Sequence, residues 1–119
     1  MGENKGFICM NEIDLNLPLT DGPVELIKSR VTNPPALTQI LLEGRRFTAK
    51  QAVEIGLIDI AVPNSAVFET ALGIAHRVSP KAQLGGQVYA VIKQTKNRVA
   101  IEALRKGGLS PVKFELSKL

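Results

Sequence analysis

Cysteine, histidine and tryptophan are nearly absent from this chain. Among 119 residues there is one Cys, Cys9, one His, His76, and no Trp. A lone cysteine makes no internal disulfide, and one Cys with one His cannot assemble a metal cluster, so no metal site is expected. A single unpaired thiol agrees with a reducing intracellular compartment. Aromatic residues make up only 4% of the sequence, which argues against a stacking surface for nucleic acid. Positive charge is not concentrated anywhere: 15 Lys and Arg stand against 11 acids, spread along the chain with no basic arm. No apolar run approaches the roughly 20 residues that span a bilayer. Met1 to Gly6 is short and polar, with no secretory pattern.

What is present is the composition of an ordinary globular chain, 45% apolar with a net charge of +4. Its length suits one domain, or part of one, with a modest core. The mild positive balance suits a small polyanionic ligand and equally suits plain solubilising lysines.

The run Phe7-Ile8-Cys9-Met10 reads as a short apolar strand that delivers one carboxylate, Glu12, to the start of a loop. A rigid element aims a side chain while a loop leaves room for substrate, so Glu12 is the candidate catalyst. A solvated strand-end charge is the plainer alternative. Asp14 would share the Glu12 face if the extension continued, and reads first as a loop-capping Asp.

Helices follow. Asp21 is an N-cap candidate, with Pro23 in the first turn and Val24, Leu26, Ile27 and Val31 behind it. Pro35 to Glu43 forms a second helix stopped by Gly44. Thr48 caps a third, Ala49 to Ile55, stopped by Gly56. Leu57 to Val62 is a second strand-like run, closed by Pro63. Ser65 is placed to cap a fourth helix, with His76 and Arg77 at its cationic end. A final long helix is expected from about Gln87 to Arg105. Cys9 reads as a small core residue.

This is an odd inventory for a complete α/β domain, because two short strands give so many helices too little sheet to cover. It reads as the later half of a larger fold. The expected organisation is residues 1–106 as the folded part and 107–119 as a flexible tail.

With these elements in place, the chain resembles the crotonase superfamily of enoyl-CoA hydratases and isomerases, over roughly Gly6 to Ala103. Within it the chain looks like the plant-type peroxisomal Δ3,Δ2-enoyl-CoA isomerase branch. Three stretches carry the likeness: Gly6 to Leu17, with the strand, the glutamate and the loop; Leu41 to Asp59, with Glu43-Gly44-Arg45-Arg46-Phe47-Thr48 and Gly56; and Gly86 to Lys93, the start of the last helix. The resemblance implies the C-terminal half of a crotonase (ClpP/crotonase-like) fold, mostly helical with two short strands.

It also implies an activity. Isomerases of this type move a double bond from the 3,4 to the 2,3 position of an acyl-CoA during β-oxidation. A glutamate carries the proton from C2 to C4 while two backbone N–H groups hold the enolate oxygen. Glu12 matches that glutamate, with Asn11, Leu17, Lys93 and Lys96 as substrate-side candidates. Lys93 and Lys96 read foremost as a solvated helix face, and Arg45 and Arg46 as possible phosphate contacts are discounted similarly. No separate cofactor is implied, since coenzyme A is part of the substrate. The segments that supply the oxyanion N–H groups and a hydratase's second glutamate belong to the first half of the fold. A non-catalytic crotonase-like subunit and a hydratase fragment are therefore the alternatives. The implied partners are an acyl-CoA and further copies or a partner chain.

The last three residues, Ser117-Lys118-Leu119, form the tripeptide that the peroxisomal import receptor reads at a C-terminus, so a peroxisomal location is expected.

Overall fold

The computed structural model describes residues 1–107. The targeting tripeptide Ser117, Lys118 and Leu119 and most of the expected tail lie outside those residues. The chain divides into two compact units: Met1–Ile8 with Phe47–Arg98, and Cys9–Arg46 with the segment from Val99 onward.

In the first unit, two backbone bridges stand where short strands were expected. Ile8 and Phe47 form an antiparallel pair in which each N–H donates to the other's carbonyl at 2.9 Å. Gly2 and Val62 form a parallel bridge, supported by the Glu3 N–H donating to the Val62 carbonyl at 2.9 Å. The Met1 ammonium adds a bond to the Ile60 carbonyl at 3.0 Å. Neither pair extends into a ladder among the described residues, because each expected strand meets a single partner residue rather than a row.

Helix α1 of the chain, Asp21–Lys28, belongs to the second unit. Thr20, not Asp21, takes the extended N-cap conformation; Asp21 becomes the first helical residue, where its negative charge suits the positive end of the helix. Helix α2, Pro34–Leu41, starts with two prolines, whose missing N–H groups cost nothing in a first turn. The Asn33 side chain accepts from the Ala36 N–H at 3.2 Å. α1 packs on α2, and the buried side chains of this unit are Val31, Ala36, Ile40 and Ala100.

Helix α3, Ala49–Glu54, lies in the first unit and begins with a full capping box. The Thr48 hydroxyl accepts from the Gln51 N–H at 3.3 Å, and the Gln51 side-chain oxygen accepts from the Thr48 N–H at 3.0 Å. Gly56, at φ +77°, closes it as expected, and the N–H groups of Leu57 and Ile58 return to the Ala52 carbonyl. The buried apolar side chains of this unit, Phe47, Ala49 and Ala52, all come from this one stretch.

Helix α4, Val67–Val78, follows a 3₁₀ turn, Asn64–Ala66, introduced by Pro63. Ser65 sits inside that turn and makes no capping bond, so its expected capping role is not realised. His76 and Arg77 occupy the last turn of α4, the end that favours cations. Two further 3₁₀ turns, Ser79–Lys81 and Leu84–Gly86, lead to α5, Gln87–Lys96. The single long helix expected here is two. Asn97, at φ −104° and ψ 16°, interrupts it, and α6, Arg98–Lys106, resumes beyond. Asn competes for backbone hydrogen bonds and tolerates non-helical angles, which is the physical reason for a break at this residue.

Candidate active site

Glu12 does not end a strand. It opens a 3₁₀ turn, Glu12–Leu15, in the second unit. Three backbone bonds knit the turn. The Asp14 N–H donates to the Asn11 carbonyl at 3.1 Å, the Asn16 N–H to the Ile13 carbonyl at 3.3 Å, and the Leu17 N–H to the Glu12 carbonyl at 2.9 Å. Asn16 closes the turn in the left-handed region at φ 53°, a conformation that Asn accepts more readily than most residues. A closed turn of this kind fixes the direction of Glu12 more firmly than a loop would.

Tight winding also corrects the expected relation between Glu12 and Asp14. At three residues per turn, side chains two apart point about 120° away from each other rather than to one face. Asp14 is exposed. Its carboxylate and the Ile13 methyl lie over Gly44: a Cβ built there would meet Asp14 Oδ2 and Ile13 Cγ2, each at 3.1 Å.

Glu12 itself is half-buried. Its Oε2 is shut off from solvent and has no hydrogen-bond partner among the described residues. A buried, unsatisfied carboxylate oxygen is costly, on the order of 1–3 kcal/mol or more, so native proteins rarely keep one without a use. In the same segment Ile13, Leu15 and Leu17 are apolar and exposed. The arrangement offers a proton acceptor beside a surface suited to an apolar chain.

Of the other sequence candidates, Asn11 directly precedes the turn and its side-chain oxygen accepts from the Cys9 thiol at 3.8 Å. Cys9 is half-buried rather than deep in a core. Leu17 closes the turn through its N–H. The structure therefore brings Asn11, Glu12 and Leu17 into one local motif. Lys93 and Lys96 belong to the other unit, exposed in the last turn of α5, where Lys96 Nζ donates to Asn97 Oδ1 at 3.3 Å. Arg45, also weighed as a phosphate contact, donates through Nη1 to Gln39 Oε1 at 2.8 Å. Gly44 was legible only as a helix stop; nothing in the sequence links it to Ile13 and Asp14.

No protein-family model matches the chain. Enoyl-CoA delta isomerase 3 of Arabidopsis thaliana is 30% identical over 97 residues, which cover 80% of this chain and 40% of that protein. Enoyl-CoA delta isomerase 2, peroxisomal, of the same plant is 26% identical over the same shares. Among solved structures, an enoyl-CoA hydratase from Mycobacterium ulcerans superposes with a TM-score of 0.75 at 24% identity, over 89% of this chain and 45% of that one. The chain has the fold of the C-terminal half of a crotonase-type domain. It spans about 40% of the length of the curated relatives it matches. A mostly helical fold with very little strand follows, because the chain aligns with less than half of the complete domain.

Proposed function

We propose that this half-domain carries the acid–base group of an enoyl-CoA delta isomerase. In this reading Glu12 removes a proton from C2 of a 3-enoyl-CoA. The C2–H electron pair then delocalises into the thioester, giving a dienolate. The same carboxyl returns the proton at C4, and the double bond moves from C3–C4 to C2–C3 with nothing gained or lost overall. The buried, unpartnered Oε2 of Glu12 is the observation that carries the reading, because one oxygen without a competing partner is what a reversible proton carrier needs. The named activity of the two Arabidopsis relatives supports it.

Two backbone N–H groups must hold the enolate oxygen for this chemistry. Polypeptide equivalent to the rest of the crotonase domain supplies them, within a longer chain or from a partner. The exposed apolar side chains of α4 and α5, such as Phe68, Val88, Val91 and Ile92, support such an assembly, since apolar patches of this size are seldom left in water. Lys93 and Lys96 are the candidates to meet the coenzyme A phosphates. The peroxisomal name of one relative supports a peroxisomal setting, and with it a role in β-oxidation.

The test is turnover of a 3-enoyl-CoA by the chain together with the polypeptide that supplies the rest of the domain, beside Glu12→Gln. The variant keeps the shape and removes the proton carrier, so activity should fall by about 10²–10⁴-fold. Equal turnover by both would remove Glu12 from the chemistry. Absence of turnover in both would favour a non-catalytic crotonase-like module.

A further inference from the structure

Besides its own backbone bonds, the Glu12 turn has a second support, the end of α2. The N–H groups of Leu42 and Glu43 return to the Thr38 carbonyl, and the Arg45 N–H donates to the Gln39 carbonyl at 3.0 Å. Gly44 leaves this wound end at φ +58°, buried, with its missing side chain facing Ile13 and Asp14. Two demands therefore meet at one residue. The backbone requires a left-handed conformation, and the space where a Cβ would stand is taken by the turn that begins at Glu12.

We propose that Gly44 is a positioning residue for Glu12: it seats the Glu12–Leu15 turn on the end of α2 and so sets where the carboxylate points. The role rests on the proposed proton-carrier function of Glu12 only for its catalytic consequence; the seating itself is a property of the fold. Any side chain at 44 must push Ile13 and Asp14 outward by a few tenths of an ångström. The atoms that must give way, the Asp14 carboxylate and an Ile13 methyl, are side chains of the very turn that Glu12 opens. Nothing comparable holds at Gly73 on α4, where an added Cβ meets no atom within 4 Å.

The experiment compares Gly44→Ala, Gly44→Ala with Ile13→Ala, and the control Gly73→Ala in the full chain by amide hydrogen exchange, and by turnover of a 3-enoyl-CoA with the rest of the domain supplied. In Gly44→Ala the Leu17 amide, which donates to the Glu12 carbonyl, should exchange about tenfold faster relative to the Ile55 amide of the other unit. A loss of global stability would speed both amides alike. Removing the Ile13 methyl should restore much of the Leu17 protection, because it clears the space the new Cβ needs. Turnover should show kcat lowered about tenfold with KM little changed, since misplacing a reacting group costs rate more than binding. Gly73→Ala should leave both turnover and the exchange rate of the Leu17 amide itself unchanged. Unchanged relative exchange at Leu17 in Gly44→Ala, or protection not regained on adding Ile13→Ala, overturns the seating. Altered exchange with no turnover in any variant leaves the seating standing and defeats the isomerase reading instead.

Discussion

Two stretches of the same unit are built on opposite terms. Phe47 to Gly56 contains a complete capping box, a left-handed glycine stop and the three buried apolar side chains of its unit, Phe47, Ala49 and Ala52. Helices α4 and α5, more than twice as much chain, contain no buried residue at all. Phe68 on α4 is 71% exposed, while Phe47 is 1% exposed. Both stretches are apolar enough to make a core. The first finds its partners within the described chain, and the second presents its apolar face outward. A helix can thus be fully formed by local signals with none of its residues buried.

The contrast is sharpest in a pair of truncations. Phe47→Ala removes the largest buried side chain, along with the packing around its bridge to Ile8. It should cost about 3–5 kcal/mol, enough to abolish a cooperative transition in a unit with so small a core. Phe68→Ala should change the unfolding free energy by less than about 0.5 kcal/mol, since little area is lost to water. Its effect should instead appear in sedimentation, as weaker association with other copies or with a chain carrying the rest of the domain. Denaturant unfolding and ultracentrifugation on both variants check this. Equal destabilisation by the two would mean that Phe68 is buried in solution and that the comparison is false.

A smaller effect tests the local signals. Thr48→Ala deletes the hydroxyl that receives the Gln51 N–H, and should cost about 1 kcal/mol with no change in association. A thermal scan resolves a loss of this size in a chain of this length. Thr48→Ser, which keeps the acceptor, should recover most of it. A null result for Thr48→Ala would mean that α3 is held by its buried alanines and that its cap is incidental.

How much of this was readable beforehand follows the same division. Thr48, Gly44 and Gly56 act on residues within a few positions, and the helix ends they mark appear where the sequence puts them. Asn33 capping α2 through the Ala36 N–H is of the same kind. Strand Phe7 to Met10 is not, because a strand exists only by pairing, and the described residues offer only Phe47 to Ile8. The break at Asn97 was hidden because Val91, Ile92, Val99 and Leu104 keep a helical rhythm across it, and apolar spacing is blind to one residue's backbone preference. Glu12 was found by residue type and context, but its 3₁₀ turn, its unpartnered oxygen and the approach of Ile13 and Asp14 to Gly44, thirty positions away in sequence, are tertiary facts that apolar spacing does not carry.

The smallest expected change runs in the opposite direction. Gly73 sits inside α4 with ordinary helical backbone, and the space where its Cβ would stand is empty. Gly73→Ala therefore meets no clash and lowers the entropy lost when α4 forms, so it should stabilise the unit by about 0.5–1 kcal/mol. Chemical denaturation reads the gain directly. An absent gain would mean that α4 remains largely helical in the unfolded reference. A loss would carry more information, because the only physical cause left is a surface packed closely against Gly73. The region with no buried residues would then have a covering partner in solution, and Gly73 would mark where that partner comes closest.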